Sequence, residues 1–187
     1  ASSLFLDRNF HILPEGCLTG KRIGIYQHST VARDMLVTVS QHYGATVFPL
    51  GRSEVFIPVD TEAVSPDTVT QLAHWSDELA LDAIISTDGD GDRPLIADEN
   101  GEWLRGDIVG LLCARQLGIR ALAVPVSCNT AIEKCGAFDE VARTRIGSPY
   151  VIAALEALAP NHASIAGFEA NGGFLLGSDV QLNGKPL

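Results

Sequence analysis

Three aspartates, Asp88, Asp90 and Asp92, alternate with two glycines in the stretch IISTDGDGDRPLI, residues 84–96. In an extended segment, side chains two residues apart point to the same side, so the three carboxylates fall on one side of the chain. Like charges this close repel each other unless a cation or full solvation compensates them. The glycines let the backbone wrap tightly around whatever the carboxylates face. Because hard oxygen ligands in this number favour Mg²⁺ or Ca²⁺, the loop is predicted to bind a divalent cation.

Three other interpretations of these acids are open. An EF-hand places oxygens at positions 1, 3, 5 and 12, which Asp88, Asp90, Asp92 and Glu99 match, but Arg93 stands where position 6 needs glycine. The preceding run also favours a strand where an EF-hand needs a helix. A phosphatase of the haloacid dehalogenase type begins with Asp-x-Asp-x-Thr or Val, whereas here the fifth position is aspartate. A solvated acidic turn would explain an isolated Asp-Gly-Asp. Three spaced carboxylates followed by an arginine favour the cation site.

A second glycine-rich acidic loop, GFEANGG at residues 167–173, follows another apolar run. Taken alone, Glu169 is as consistent with an exposed loop acid as with a binding residue. Its position at the end of a predicted strand favours binding, because α/β folds present ligand groups there. An ionised carboxylate at this point could accept hydrogen bonds from two hydroxyl groups.

Strand-like runs and amphipathic helical stretches alternate along the chain, which is the pattern of an α/β protein. In the first half, strands are predicted at 21–27, 45–50 and 81–87, helices at 31–44 and 65–80, and a hairpin at 94–104 with its turn at Asn100 and Gly101. Ser65 is the predicted N-cap of the second helix, and Gly44 is expected just past the end of the first. The apolar stripe of the 65–80 helix is predicted to comprise Val69, Leu72, Ala73, Ser76 and Leu79.

The same order restarts after Trp103. Helices are predicted at 106–118, 129–136 and 148–159, strands at 120–126 and 140–146, and two further strands flank the second acidic loop within 163–178. Ser148 and Pro149 repeat the Ser-Pro helix start of residues 65 and 66. The sequence therefore predicts two similar α/β domains, 1–103 and 104–187, each a mixed sheet flanked by helices. The polar stretch at 26–34 also follows a strand, and we assign it no catalytic role.

Composition limits the function classes. With 46% apolar and 19% charged residues, the chain is typical of a globular protein. The net charge of −10 and the lack of a basic cluster argue against nucleic acid or an anionic membrane as partners. Four cysteines without a CxxC pair argue against a zinc site or a disulfide framework. No apolar run is long enough to span a bilayer, so we expect a cytoplasmic protein.

Three stretches carry a family resemblance. The string DGDGDR, Asp88 to Arg93, resembles the metal loop of the α-D-phosphohexomutases, the phosphomannomutase and phosphoglucomutase superfamily. About 75 residues later, GFEANGG resembles the family's sugar loop, a Gly-Glu-x-Ser-Gly-His type of motif. Asn171 stands there where serine is usual, and Gly173 where histidine is usual. The stretch RTRIGSPYV, residues 143–151, is similar to the loop and helix start that precede the sugar loop in the family's third domain. Ser148 stands there in place of a histidine found in some members.

The resemblance implies the roles of these residues. Asp88, Asp90 and Asp92 would hold Mg²⁺, and Arg93 would act in catalysis by stabilising phosphoryl oxygens. An alternative role for Arg93 is to balance the charge of the acidic loop. Substrate-binding residues would be Glu169, Asn171 and Ser148. The activity would be interconversion of hexose 1-phosphate and hexose 6-phosphate through a phosphoserine and a bisphosphorylated intermediate.

The motif order corresponds to domains II and III of a four-domain enzyme. Domain I, with its phosphorylated serine, and domain IV, whose loop holds the substrate phosphate, would be further parts of a parent protein. We therefore expect a central fragment that is inactive alone. The alternative is a stand-alone module that binds metal and sugar phosphates without turnover. Flanking sequence carrying the serine and phosphate loops would favour the enzyme.

Overall fold

The computed structural model describes residues 2–182 and 184–187 of the chain. The backbone divides into two compact units, the first ending at Leu104 and the second comprising Arg105–Leu187. Each unit contains one main β-sheet with parallel and antiparallel pairs, together with helices that pack against it. The predicted fold class, α/β with two mixed sheets, is confirmed.

Unit 1 is built on a five-stranded sheet. Its strands are β1 (Arg22–Tyr26), β2 (Thr46–Leu50), β3 (Ala83–Thr87), β4 (Pro94–Ala97) and β5 (Trp103–Leu104), and its helices are α1 (Ser2–Asn9), α2 (Arg33–His42) and α3 (Pro66–Leu79). The strand order is β2-β1-β3-β4-β5. Strand β1 runs parallel to both β2 and β3, whereas β4 pairs antiparallel with β3 and with β5. The loop 88–93 therefore connects an antiparallel pair at the carboxyl end of β3.

The sheet of unit 1 is covered on one face by α3. Leu72 of that helix is fully buried in a cluster with Tyr26, Leu81, Ile84 and Leu95. The side chains of successive strand residues alternate between the faces, so the buried Ile23 and Ile25 of β1 point to the opposite face. Burial of this apolar surface fixes the position of β3 and therefore of the loop that follows it.

Unit 2 is built on a four-stranded sheet. Its elements are α4 (Gly106–Gln116), β6 (Ala121–Pro125), α5 (Ala131–Lys134), β7 (Glu140–Thr144), α6 (Ser148–Leu158), β8 (Ile165–Phe168) and β9 (Phe174–Leu176), followed by the small hairpin β10 (Gln181–Leu182) and β11 (Lys185–Pro186). The order of the main sheet is β7-β6-β8-β9, with β6 parallel to β7 and β8, and β9 antiparallel to β8. The first strand of each unit thus lies between the second and the third, and the fourth strand pairs antiparallel with the third.

Strand β6 shows why the sheet of unit 2 is covered on both faces. Ala121 and Ala123 pack in one cluster with Val151 and Leu155 of α6. The intervening Leu122 and Val124 belong to a second cluster with residues of α4, α5 and β8. All five residues of β6 are buried. A continuous apolar run of this kind is typical of a central parallel strand.

Three local predictions were wrong. Ser65 caps α3 by accepting a hydrogen bond from the Thr68 N–H, but Ser148 lies inside α6 and its N-cap, Gly147, makes no side-chain cap. In the predicted stripe of α3, Val69 is 38% exposed, and Trp75 packs against the core in its place. Ala73 is also exposed. Helix α1 and the β10–β11 hairpin were not predicted, because neither carries a clear period.

Close backbone approach at Gly101 gives a stability prediction. Gly101 adopts φ +73°, and a Cβ atom there would lie 2.5 Å from the Cα of Ala73 and 2.6 Å from the carbonyl oxygen of Leu72. We expect Gly101→Ala to lower the free energy of unfolding by roughly 2–4 kcal/mol, because backbone strain and overpacking add. Urea unfolding followed by circular dichroism measures this change.

Gly20→Ala is the matched control for this prediction. Gly20 has a similar φ of +82°, yet no atom lies within 4 Å of the position of its added Cβ. Its substitution should cost only about 1 kcal/mol, from backbone strain alone. Equal losses for the two variants would contradict the close approach of the 98–102 turn to α3.

Candidate functional site

The loop 88–93 begins where β3 ends and is closed as a hairpin. The N–H of Asp88 donates to the carbonyl oxygen of Arg93 at 3.0 Å, which continues the β3–β4 ladder by one more bond. Gly91 has φ +86°, a left-handed conformation that side chains other than glycine rarely adopt. The chain therefore folds back within six residues, and this turn gathers the alternating acids predicted from the sequence.

The three carboxylates converge. One oxygen from each of Asp88, Asp90 and Asp92 lies within 4.8 Å of the other two. Two unit charges at this separation repel by about 1 kcal/mol even in water. In an octahedral Mg²⁺ site, with oxygens at about 2.1 Å, adjacent oxygens are about 3 Å apart and opposite ones about 4.2 Å. The donor set therefore fits a hard cation if the loop contracts slightly.

Asp88 differs from the other two acids because the loop backbone binds it. Its side chain is only 13% exposed, and its Oδ1 accepts hydrogen bonds from the N–H groups of Gly91, at 3.1 Å, and Arg93, at 3.3 Å. These bonds orient the carboxylate and partly neutralise it. Asp90 and Asp92 remain more exposed. Asp88 is thus the rigid member of the candidate metal site.

Arg93 lies beside the acids rather than inside the cluster. Its Nε is 3.9 Å from Oδ2 of Asp88 and 3.7 Å from Oδ1 of Asp92, and its side chain is 46% exposed. At these distances the guanidinium screens the acids without a tight ion pair. It can therefore turn towards an anion placed next to the loop. A cleft of about 530 Å³ opens beside the loop and is lined in part by Phe56, Asp88 and Asp90.

Unit 2 places its acidic loop at the equivalent position. Residues 169–173 connect the antiparallel strands β8 and β9, and the N–H of Glu169 donates to the carbonyl oxygen of Gly173 at 3.0 Å. The carbonyl oxygen of Glu169 in turn accepts from the N–H of Gly172, whose φ is +92°. Both acidic loops therefore follow the third strand of their sheet and are closed by the same kind of ladder bond.

The structure brings together the predicted substrate-binding residues of unit 2. The hydroxyl of Ser148 donates to Oε2 of Glu169 at 2.9 Å, so the first turn of α6 orients this carboxylate. Asn171 uses its side-chain oxygen to accept the N–H of Gly173 at 2.8 Å. Glu169 therefore has a polar partner from another element, whereas Asn171 shapes the loop that carries it.

Helix α4 supports this loop by direct backbone contact. A Cβ atom at Gly106 would lie 2.3 Å from the nitrogen of Gly172 and 2.5 Å from the carbonyl oxygen of Ala170. Only glycine permits this approach. Gly110, one turn later, packs in the same way against the ring of Phe168. The first glycine of the predicted helix 106–118 thus has a positioning role that sequence reasoning did not identify.

Buried polar groups beneath the loop were also missed. Asp107 is fully buried; its carboxylate accepts the N–H of Asn129 at 2.7 Å and pairs with Arg105 at 3.3 Å. Burial, together with the negative charges of Asp107 and Glu169, raises the pKa of the Cys128 thiol to about 12. Cys128 is therefore an inert thiol at neutral pH.

Arg143 has a structural role, because its guanidinium is bound by groups of unit 2. It pairs with Glu133 at 2.6 Å and donates to the carbonyl oxygens of Pro125 and Cys128. The hydrogen bond from the Arg143 guanidinium holds the pKa of the Glu133 carboxyl below its usual value. The guanidinium thus ties α5 to the ends of β6 and β7. The stretch 143–151, which resembles a family segment, therefore contains a structural arginine, Arg143, and a helix start whose Ser148 contacts Glu169.

The described part of the chain contains no helix with the length and apolar character needed to cross a bilayer.

Comparison with known proteins finds similar proteins of one kind. Residues 14–101 match the domain family described as phosphoglucomutase/phosphomannomutase, alpha/beta/alpha domain II. A phosphomannomutase of Salmonella muenchen is 55% identical over 187 residues, which is 100% of this chain and 39% of the relative. A phosphomannomutase of Sinorhizobium fredii is 52% identical over 188 residues, covering 100% of this chain and 40% of the relative. The chain thus spans about two fifths of the length of these curated relatives.

Solved structures show the same fold. A phosphoglucomutase/phosphomannomutase family protein from Burkholderia thailandensis superimposes with a TM-score of 0.69 at 14% identity, over 98% of this chain and 39% of that protein. The matched domain, the two phosphomannomutases similar along the whole of this chain and the shared fold agree with the DGDGDR loop at the end of β3. The chain belongs to the α-D-phosphohexomutase superfamily.

Proposed function

We propose that this chain is the central portion of a phosphohexomutase. Residues 1–103 would form domain II, which carries the metal loop, and residues 104–187 would form domain III, which carries the sugar loop. The single observation that carries the proposal is the convergence of Asp88, Asp90 and Asp92 within 4.8 Å at the end of β3. Because the chain spans only part of its relatives, the activity is proposed for the longer protein.

The proposed reaction moves a phosphoryl group between two oxygens of one hexose. A phosphoserine, supplied by domain I of the parent, would transfer its phosphoryl group to the free hydroxyl oxygen of a hexose monophosphate. The bisphosphate would then reorient in the site and return its other phosphoryl group to the serine. Hexose 1-phosphate and hexose 6-phosphate are thereby interconverted, and no phosphate is gained or lost.

The acids of the metal loop would hold Mg²⁺. A bound Mg²⁺ would supply positive charge next to the phosphoserine oxygens. Asp88, held by two backbone N–H groups, would give the site its fixed point. Arg93 would add charge-assisted hydrogen bonds to phosphoryl oxygens, which its partial exposure and its long distances to the acids permit.

Glu169 would bind the sugar through its hydroxyl groups. A carboxylate accepts bonds from two hydroxyls, and the Ser148 hydroxyl already fixes one of its oxygens. Asn171 would complete the sugar loop by setting its turn. The substrate class is therefore a phosphorylated hexose, with its phosphate held by domain IV of the parent.

The metal loop is tested by titrating the chain with Mg²⁺ in a calorimeter. We expect weak binding by the wild type, because one oxygen ligand would come from the phosphoserine. Asp90→Asn should lower the Mg²⁺ affinity by about tenfold, since it removes one charged ligand. Asp77→Asn is the control, because it removes the same charge from an exposed position of α3. Indistinguishable curves for wild type and Asp90→Asn would count against the metal loop.

The catalytic proposal is tested with the chain and its full-length parent in parallel. Coupled assays with mannose, glucose and glucosamine 1-phosphates should show turnover by the parent and negligible turnover by this chain. Glu169→Gln in the parent should lower kcat/KM by roughly 10–100-fold, because charge-assisted hydrogen bonds are worth about 1.5–3 kcal/mol. Clear conversion of any of these substrates by the chain alone, or none by the parent, would refute the proposal.

A further inference from the structure

The turn between β1 and α2, residues 27–32, is hydrogen-bonded to the metal loop. Nε2 of His28 lies 2.8 Å from the carbonyl oxygen of Thr87, the residue that precedes Asp88. The N–H of Val31 donates to the carbonyl oxygen of Gly89 at 3.1 Å. Both contacts lie within unit 1, and they join two loops at the carboxyl ends of the adjacent strands β1 and β3.

His28 occupies this place at an energetic cost. It is fully buried, and its Nδ1 is a buried side-chain atom without a hydrogen-bond partner in the part of the chain that the structure describes. Its φ of +22° is also unusual for a residue with a side chain. An orphaned buried nitrogen and a strained backbone persist only where the surroundings over-determine them, and such outliers cluster at functional sites.

The contact with Thr87 fixes the tautomer of His28. A carbonyl oxygen can only accept, so Nε2 must carry the hydrogen and donate it. Nδ1 then holds a lone pair that accepts no hydrogen bond from the residues that the structure describes. Burial lowers the pKa of this imidazole, which agrees with a neutral ring.

A chain of hydroxyl groups runs beside the imidazole. The N–H of Ala32 donates to Oγ1 of Thr30, which lies 2.7 Å from Oγ1 of Thr87, and the Thr87 hydroxyl donates to the carbonyl oxygen of Asp88 at 2.9 Å. Because the Thr87 hydroxyl donates its only proton to the carbonyl oxygen of Asp88, the Thr30 hydroxyl must be the donor in its bond with Thr87. The direction of the whole chain is therefore set, from the start of α2 to the metal loop.

Together these bonds fix the backbone on both sides of Asp88. His28 holds the peptide plane between residues 87 and 88, and Thr87 holds the plane between 88 and 89. Two fixed planes define φ and ψ of Asp88, and hence the direction of its Cα–Cβ bond. The N–H groups of Gly91 and Arg93 then orient the carboxylate at the end of that bond. The bond from Val31 adds the next plane, between 89 and 90.

We propose that His28 is a positioning residue for the metal loop, and that its Nε2–H holds the 87–88 peptide so that Asp88 is aimed before a cation arrives. This inference rests on the proposed metal-binding function. Preorganisation matters here because three like charges favour a loop conformation in which the carboxylates lie far apart. A cation that binds such a loop must bring them together, and this lowers its affinity. A loop held from outside binds the cation more tightly.

His28→Leu and His28→Gln test this role. Both place an unbranched Cβ on the same strained backbone, but only glutamine carries an amide N–H that can reach the Thr87 carbonyl. Calorimetric titration with Mg²⁺ should show about five- to tenfold weaker binding for His28→Leu and a change within about twofold for His28→Gln. Circular dichroism and thermal melting establish that each variant is folded at the titration temperature.

Leu72→Ala is the control for lost stability. Leu72 is fully buried on α3, away from the metal loop, so its truncation should lower the melting temperature and leave the Mg²⁺ affinity unchanged. Thr30→Val, nearly isosteric, removes the hydroxyl that donates to Thr87 and should weaken binding about threefold. This variant carries the test if His28→Leu does not fold.

The outcomes separate this inference from the proposed function. If folded His28→Leu binds Mg²⁺ like the wild type, or if Thr30→Val does so where leucine is not tolerated, the positioning role is wrong. Equal weakening by leucine and glutamine would also overturn it, because packing alone would then explain the loss. If wild type and Asp90→Asn bind alike, the metal site itself fails.

Discussion

Repulsion among the three carboxylates of loop 88–93 is the constraint that the contacts around this loop must oppose. Asp88, Asp90 and Asp92 lie close enough that each disfavours the others, yet the chain confines them to one tight hairpin turn. What opposes the repulsion is visible in the contacts. Two N–H groups bind Asp88, Arg93 lies beside the cluster, and the turn after β1 holds the backbone. The loop is thus held from its own backbone and from a neighbouring loop.

Sheet topology explains why both candidate loops lie where they do. In each unit the first strand lies between the second and the third, and the third strand pairs with a parallel partner on one side and an antiparallel one on the other. The loop after the third strand must reverse direction within a few residues, so it needs glycines with positive φ, which are Gly91 and Gly172. The same tight reversal points an acidic side chain out of the carboxyl end of each sheet, where α/β folds bind ligands.

Much of this arrangement could be predicted from the sequence, because the signals are local. The alternating acids and glycines predicted that three carboxylates lie on one side of loop 88–93, and the periodic runs predicted the strands that flank it. Gly44 and Gly118 marked helix ends where the structure has positive φ. These features depend on a few neighbouring residues, so one sequence is enough to reveal them.

The contacts that support the loops could not be predicted, because they join distant residues. His28 and Thr87 are 59 positions apart, and nothing near either residue indicates the other. Gly106 appeared as an ordinary helix residue, and only its approach to Gly172 shows why a side chain is excluded there. Ser148 resembled the helix cap at Ser65, but it is the first residue inside α6 and not its N-cap, and its hydroxyl donates to the carboxylate of Glu169.

The placement of the charged residues explains how an acidic chain could bind an anionic substrate. The net charge is −10, and several arginines are bound to internal partners: Arg143 to Glu133, Arg105 to Asp107, and Arg52 to Asp34. Each of these guanidinium groups already has a carboxylate partner within the same unit. Arg93 differs because its Nε lies 3.7 and 3.9 Å from the nearest acids, farther than these three arginines lie from their partners. In the proposed enzyme, the positive charge that meets the phosphoryl group would therefore come from Arg93, from a cation on the three aspartates and from other parts of the parent protein. A cation bound by acidic residues and shared with a phosphate reverses the local sign of the potential, so strong acidity is compatible with the proposed substrate.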